Sequence, residues 1–226
     1  MRDRRSSGAW RRRDVLFGAG AAVFATTRVA TGQVPGRPAK IAAKFDIARF
    51  VDDCKHAAGD NVADAQGAVR EVLARSISDY KSVLTGVGEP QKGGIQTLYR
   101  SASLTILNIV WSPLMQLMPH EHKMWALIGI YTGREDNIFW QRQGTVLAAR
   151  TASALSQGTV TPLPRDVIHS VTNPIEKLTG AIHIYGGDFF AVHRSEWDPE
   201  TLTERDWDIT RAIRLFKESN ERFFGR

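Results

Sequence analysis

Residues 119–137 read PHEHKMWALIGIYTGREDN and combine two closely spaced histidines with an apolar run. His120 and His122 are two positions apart, at or just before an apolar run that is typical of a β-strand. Residues i and i+2 of a strand lie on the same face, so both imidazoles can reach one metal ion while Glu121 points away. Alone, the pair is weak evidence, because two surface histidines at a strand end give the same pattern.

A third histidine, His169, follows 47 residues after His122, between Pro164 and Asn173. A ligand from a distant strand is what a β-barrel supplies and a single helix does not. The sequence therefore predicts a mononuclear metal site formed by His120, His122 and His169.

Short β-branched and aromatic runs separated by Gly, Pro and Asn fill the chain after residue 95. The predicted strands are Leu104–Trp111, Met124–Thr132, Asn137–Arg142, Gly144–Ala149, Asp166–Val171 and Leu178–Tyr185. Many short strands of this kind favour a sandwich or barrel. Helical periodicity is confined to residues 45–84 and to a final helix at about 206–223.

The two histidine regions resemble the first and second motifs of the cupin superfamily, and the resemblance covers residues 95–195. It implies a mainly β fold, the double-stranded β-helix or jelly-roll barrel, here with N-terminal helices and a C-terminal helix. Most cupins add a glutamate four or five residues after the second histidine, where this chain has Ala126 and Leu127. That departure points to the cysteine dioxygenase-like, or thiol dioxygenase, branch. Residues 185–190 and 195–199 are also similar to a predicted metal-dependent double-stranded β-helix subfamily.

This resemblance implies a mononuclear Fe²⁺ oxidoreductase acting on a small thiol with O₂. Three neutral imidazoles leave the charge of the ion uncancelled, which favours a thiolate. Zinc, manganese and nickel also suit three histidines. An isomerase, a C–C cleaving dioxygenase and a non-catalytic metal- or ligand-binding cupin remain alternatives.

Ala181, His183 and Tyr185 alternate and share one face of a predicted strand. Cysteine dioxygenase-like enzymes carry a Ser-x-His-x-Tyr series here, so the resemblance implies that Tyr185 donates a hydrogen bond to bound substrate or dioxygen and that His183 orients it. Ala181 replaces the serine and removes the outer hydrogen bond. The alternative is an inward tyrosine beside a core histidine.

Arg100 lies upstream of His120, where the family has an arginine that binds a substrate carboxylate. A guanidinium can hold a carboxylate through two parallel hydrogen bonds. A surface arginine is the alternative.

Residues 1–32 hold seven Arg and two Asp, so they carry +5 of the net charge of +6. The rest of the chain lacks the basic excess that nucleic-acid binding requires. Arg12 and Arg13, followed by a short apolar run, resemble a twin-arginine export signal, with the alternative of a basic tail or a misassigned start codon. The run is too short to span a membrane.

From these patterns we expect an export signal at 1–32, a linker and helical extension at 33–92, and the metal-binding domain at 93–226. The signal predicts recognition by the twin-arginine export machinery and a periplasmic or exported protein, and otherwise a cytoplasmic one.

Overall fold

A computed structural model describes residues 45–59, 62–144 and 146–225 of the chain. The predicted export signal and the first part of the linker lie outside these residues, so both stay predictions. The residues described here belong to one compact unit, residues 41–226.

Four helices and eleven strands make up this unit. The helices are α1 (Ile47–Ala57), α2 (Ala65–Ser78), α3 (Tyr80–Val87) and α4 (Ile209–Phe224). The strands are β1 (Gly94–Arg100), β2 (Thr105–Trp111), β3 (Gln116–Glu121), β4 (Ala126–Thr132), β5 (Arg134–Gln143), β6 (Val146–Ser156), β7 (Val160–Leu163), β8 (Ile168–Thr172), β9 (Thr179–Tyr185), β10 (Ser195–Trp197) and β11 (Glu204–Asp206). Among the described residues, no helix combines the length and apolar character needed to cross a membrane.

The strands form two antiparallel sheets that confirm the predicted mainly β, jelly-roll fold. One sheet has the order β1-β2-β9-β4-β7 and the other the order β11-β10-β3-β8-β5-β6. Neighbours in each sheet are mostly distant in sequence, as when β9 lies between β2 and β4. This connectivity brings β3, β8 and β9 to one region although Tyr185 of β9 follows His120 of β3 by 65 positions.

The central strands of the five-stranded sheet, β2, β9 and β4, are buried on both faces. The inner face of this sheet contributes Leu107, Ile128 and Ala181 to a core that also receives Phe216 from α4. Its outer face is covered by the N-terminal helices in a second cluster, formed by Leu73, Ile77, Ile106, Leu127, Tyr131, Ile182, Ile184 and their neighbours. Strands buried on both faces read as continuous apolar runs, which explains why β2 and β9 show no alternation in the sequence.

Aspartates begin all four helices. Asp46, Asp64, Asp79 and Asp208 each accept a hydrogen bond from a backbone N–H in the first turn. Such caps satisfy donors that have no partner inside the helix. They fix where α1–α3 begin and thus how these helices meet the sheet.

Gly129 of β4 should control how closely α2 approaches the sheet. A Cβ atom at this position would lie 2.8 Å from Ile77 and 3.0 Å from Leu73. We expect Gly129→Val to overpack this contact and to lower the free energy of unfolding by about 1–3 kcal/mol. Urea unfolding measures the change. Gly94→Val is the control, because a Cβ there meets no atom within 4 Å; equal losses in both variants would contradict the explanation.

Candidate metal centre

Three histidines converge inside the barrel at the end of β3 and in β8. His120 pairs directly with His169 across these strands, and His122 follows β3 by one residue. All three are at most 4% exposed. The Nε2 atom of His122 is 3.2 Å from that of His120 and 3.2 Å from that of His169. The structure thus brings the three predicted metal ligands together as one group that could hold an ion.

Hydrogen bonds assign the tautomers of two of these histidines. His120 Nδ1 lies 3.0 Å from the carbonyl oxygen of Met118, and His169 Nδ1 lies 2.7 Å from Oδ1 of Asn137. Both partners are acceptors, so each Nδ1 carries the proton and each Nε2 presents its lone pair to the shared point. Neutral imidazole with a free nitrogen is the form that binds metal ions.

The geometry of the donors fits a transition-metal ion. Two nitrogen ligands about 2.1 Å from one ion, at angles of about 90–110°, are about 3.0–3.4 Å apart. The observed 3.2 Å separations fall in that range. The Nε2 lone pairs of His120 and His169 both face Nε2 of His122, whose single proton could bond to only one of them, whereas a metal ion binds all three nitrogens.

Burial keeps these histidines neutral. It lowers the pKa of His120 to about 4, although the hydrogen bond to Met118 opposes the change. Burial, followed by the proximity of the other histidines, also lowers the pKa values of His122 and His169. At neutral pH the site therefore offers lone pairs without having to release protons.

No carboxylate joins this group. Ala126 and Leu127 hold the positions of the usual cupin glutamate and both are buried apolar residues. Glu121 turns away from the ligands and accepts hydrogen bonds from the backbone N–H of Ser195 and from Lys123. The donor set among the described residues is three imidazoles.

His183 and Tyr185 face the same interior from β9. The rings of His122 and Tyr185 are 5.0 Å apart, and the Tyr185 hydroxyl lies 3.3 Å from Nδ1 of His183. Burial raises the pKa of Tyr185, so its hydroxyl stays protonated and can donate. Ala181 offers His183 no hydrogen bond, as expected; instead Glu135 places a carboxylate oxygen 3.3 Å from Nε2 of His183.

The structure does not bring Arg100 to the histidines. Its guanidinium forms two hydrogen bonds with Asp188, at 2.9 and 3.0 Å, and lies over the ring of Phe190. Its side chain is about half exposed. Recognition of a carboxylate by Arg100 stays a prediction.

A different arginine, Arg194, is buried in the wall of the site. It is 2% exposed and its guanidinium carbon lies 4.3 Å from the ring of Phe189 and 4.7 Å from that of Trp207. Nη1 donates to the carbonyl oxygen of Phe189, whereas Nε and Nη2 have no hydrogen-bond partner among the described residues. Burial lowers the pKa of Arg194 to about 10, which leaves it charged at neutral pH. No sequence motif marked this residue.

The space between these groups is small and mostly apolar. A cavity of about 20 Å³ is lined by the three histidines, His183 and Tyr185 together with Ile95, Ile109, Trp111, Leu117, Val171, Phe189, Trp207, Ala212 and Phe216. Ile95 and Phe216 also line a larger surface groove of about 550 Å³ between β1 and α4. These two side chains separate the metal site from the outside on that face.

Comparison with known proteins gives distant likenesses only. No protein family model matches the sequence. Among solved structures, an RmlC-like cupin family protein with a double-stranded β-helix fold from Methanocaldococcus jannaschii is 12% identical, with 45% of this chain and 86% of that chain covered and a TM-score of 0.38. Oxalate decarboxylase from Bacillus subtilis is 17% identical, with 46% and 28% covered and a TM-score of 0.37. The Cnp3 cupin domain from Schizosaccharomyces pombe is 12% identical, with 42% and 61% covered and a TM-score of 0.35.

Because these TM-scores are low, the fold class is assigned from the two sheets of this chain and not from the comparisons. Those sheets form a jelly-roll barrel, and its buried three-histidine group could hold a metal ion.

Loss of one histidine should abolish tight metal binding, because the part of the chain that the structure describes supplies three protein donors and no fourth. We expect His169→Ala to retain far less metal than the unaltered protein after reconstitution and desalting, measured by elemental analysis. His193→Ala is the control, since its side chain is 84% exposed. Equal metal content in the His169 and His193 variants would contradict the assignment.

The metal-free protein should lose stability in acid because of the buried histidines. The pKa of His120 is about 4 in the folded chain and about 6.5 when unfolded, so below pH 6.5 the unfolded chain binds the extra proton. Stability from this residue is complete above pH 6.5 and falls towards pH 4, by about 1.4 kcal/mol per pH unit. Urea unfolding in chelator, compared with His120→Gln, measures the slope; identical slopes would contradict this explanation.

Proposed function

We propose that this protein is a mononuclear non-haem iron oxidoreductase of the cysteine dioxygenase-like type, which oxidises a small thiol with O₂. The observation that carries the proposal is a buried donor set of three neutral histidines without a carboxylate, beside a buried tyrosine hydroxyl. His120, His122 and His169 would hold the ion.

The bound ion would supply open coordination positions for a thiolate and for dioxygen. In the overall reaction a thiolate, R–S⁻, and O₂ give a sulfinate, R–SO₂⁻. Both oxygen atoms end on sulfur, which loses the four electrons that O₂ gains, so no further reductant is needed.

Electrostatics around the site favours an anionic ligand. Three neutral imidazoles leave a divalent ion with its full charge inside the donor set, and the nearby Glu135 carboxylate offsets only one of the two charges. Arg194 adds a buried positive charge that two cavity-lining rings contact. A charged group without a partner is costly in an apolar interior. A thiolate would offset this charge, which supports a sulfur ligand over a neutral one.

Tyr185 is placed to act on the ligand rather than on the ion. Its hydroxyl is protonated at neutral pH, is near His183 and belongs to the wall of the cavity. As a preorganised donor in an apolar cavity it would stabilise charge that develops on oxygen.

The dimensions of the site support a small reacting group. A cavity of about 20 Å³ holds roughly one water-sized molecule, so the body of a substrate would extend past Ile95 and Phe216 into the groove. Phe190 lines that groove and carries the Arg100 guanidinium on its ring. A contact between Arg100 and a substrate carboxylate would therefore occur at the groove.

Tyr185→Phe should separate catalysis from metal binding. We expect the variant, reconstituted anaerobically with Fe²⁺, to keep its iron but to lose about 10²–10³ in the rate of thiol-dependent oxygen consumption. Oxygen uptake is screened first with the unaltered protein against a panel of small thiols, and sulfinate is identified by mass spectrometry.

Tyr131→Phe is the matched control. Tyr131 is also buried, but it lies in the cluster under the N-terminal helices, where its hydroxyl donates to Asn108. Full activity and full iron in Tyr185→Phe would contradict the role of Tyr185. Absence of oxygen uptake with every thiol would contradict the proposed function and favour another cupin chemistry or simple metal binding.

A further inference from the structure

Glu135 of β5 is a fully buried acid that has no Lys or Arg partner among the described residues. It is 0% exposed. Its hydrogen-bond donors are the indole N–H of Trp111, 2.7 Å from Oε2, and the amide of Asn137, 3.0 Å from Oε1. Both donors are neutral, and a buried carboxylate without a cation is unfavourable. A bound metal ion would supply a positive charge that balances the Glu135 carboxylate.

One oxygen of Glu135 is linked to a metal ligand. Asn137 donates its amide N–H to Oε1 of Glu135, and this fixes the orientation of the amide, so that its Oδ1 faces His169. Oδ1 can only accept, so His169 carries its proton on Nδ1 and leaves Nε2 free for the ion. Glu135 therefore determines, through Asn137, which nitrogen of His169 is available.

The other oxygen of Glu135 faces the pair next to the metal. Oε2 lies 3.3 Å from Nε2 of His183, and Nδ1 of that ring is 3.3 Å from the Tyr185 hydroxyl. Nε2 of His183 forms no hydrogen bond with any described residue, so its contact with Oε2 is an electrostatic one at this distance. Trp111 holds the carboxylate in place from behind and lies 6.1 Å from the His183 ring.

We propose that Glu135 is a positioning residue of the metal centre, which uses one carboxylate to orient the ligand His169 through Asn137 and to hold His183 behind Tyr185. Glu135 provides a negative charge next to the ligands. The positions of the usual cupin glutamate, held here by Ala126 and Leu127, provide none. This inference rests on the metal centre of the proposed function and does not depend on thiol oxidation.

Glu135→Gln tests the proposal with two readouts that need no turnover. A glutamine cannot accept from both Trp111 and Asn137, because one side of its amide is a donor. We expect the affinity for Zn²⁺, measured by competition with a chromophoric chelator, to fall about 10–100-fold. In long-range ¹H–¹⁵N correlation spectra of the metal-free protein, we expect His169 to lose its single Nδ1–H tautomer.

The variant Glu121→Gln is the matched control. Glu121 is also a buried acid, 3% exposed, and lies between two of the ligands in sequence, but it bonds to Ser195 and Lys123. We expect its Zn²⁺ affinity to stay within about twofold of the unaltered protein. A loss as large as that of Glu135→Gln would show that any buried charge matters and would overturn the specific role of Glu135.

Asn137→Ala provides a second test in case Glu135→Gln does not fold. It removes the link to His169 but leaves Glu135 beside His183, so the His169 signal should change while that of His183 is unchanged. Zn²⁺ affinity within twofold and an unaltered His169 tautomer, in either folded variant, would overturn the proposal. Failure of the unaltered protein to bind Zn²⁺ would instead contradict the metal centre, and its failure to oxidise thiols would leave the role of Glu135 intact.

Discussion

The convergence of three neutral imidazoles on one buried point is the constraint on which the rest of the structure depends. Their Nε2 atoms are 3.2 Å apart in the two measured pairs, which is the separation that two nitrogen ligands of one metal ion would have. The surrounding bonds serve this arrangement: a backbone carbonyl fixes His120 and an amide oxygen fixes His169. Burial then keeps the rings neutral, so the folded chain presents a site ready for metal.

Position in the fold explains how residues so distant in sequence reach this point. Strands β3 and β8 are hydrogen-bonded in the six-stranded sheet, whereas β9 belongs to the opposite sheet. The metal ligands therefore come from one wall of the barrel, and His183 and Tyr185 come from the other. The helices α1–α3 pack on the outside of this second wall and cover the outer face of β9, whose inner face lies in the barrel core. Their contribution to the site is indirect, since they hold β9 in place.

Much of the fold could be predicted because its central strands are continuous apolar runs. Two of the strands that the sequence pattern missed, β3 and β7, each contain a proline. β3 contains Pro119, which lies where the pairing with β8 shifts in register, and β7 contains Pro162, at the edge of its sheet. Proline is tolerated at such irregular and edge positions but argues against a strand when only the sequence is seen.

His120 and His122 could be predicted as metal ligands because they are two positions apart on one strand face. His169 could be predicted because it lies in a second, separate motif. Glu135 and Arg194 could not be predicted, since their meaning comes from contacts across the barrel. Glu135 lies outside the ligand group, and only the fold places it between Trp111 and His183. Arg100 shows the reverse case: a chemically reasonable residue that the fold pairs with Asp188.

An anomalous-scattering crystal structure of the iron-loaded protein would locate the ion among the three histidines. We expect one peak about 2.0–2.2 Å from Nε2 of each of His120, His122 and His169, with no protein carboxylate in contact with the ion. A peak bound through Nδ1 atoms, a peak that includes the Glu135 carboxylate as a ligand, or no peak at this point would contradict this assignment of the ligands.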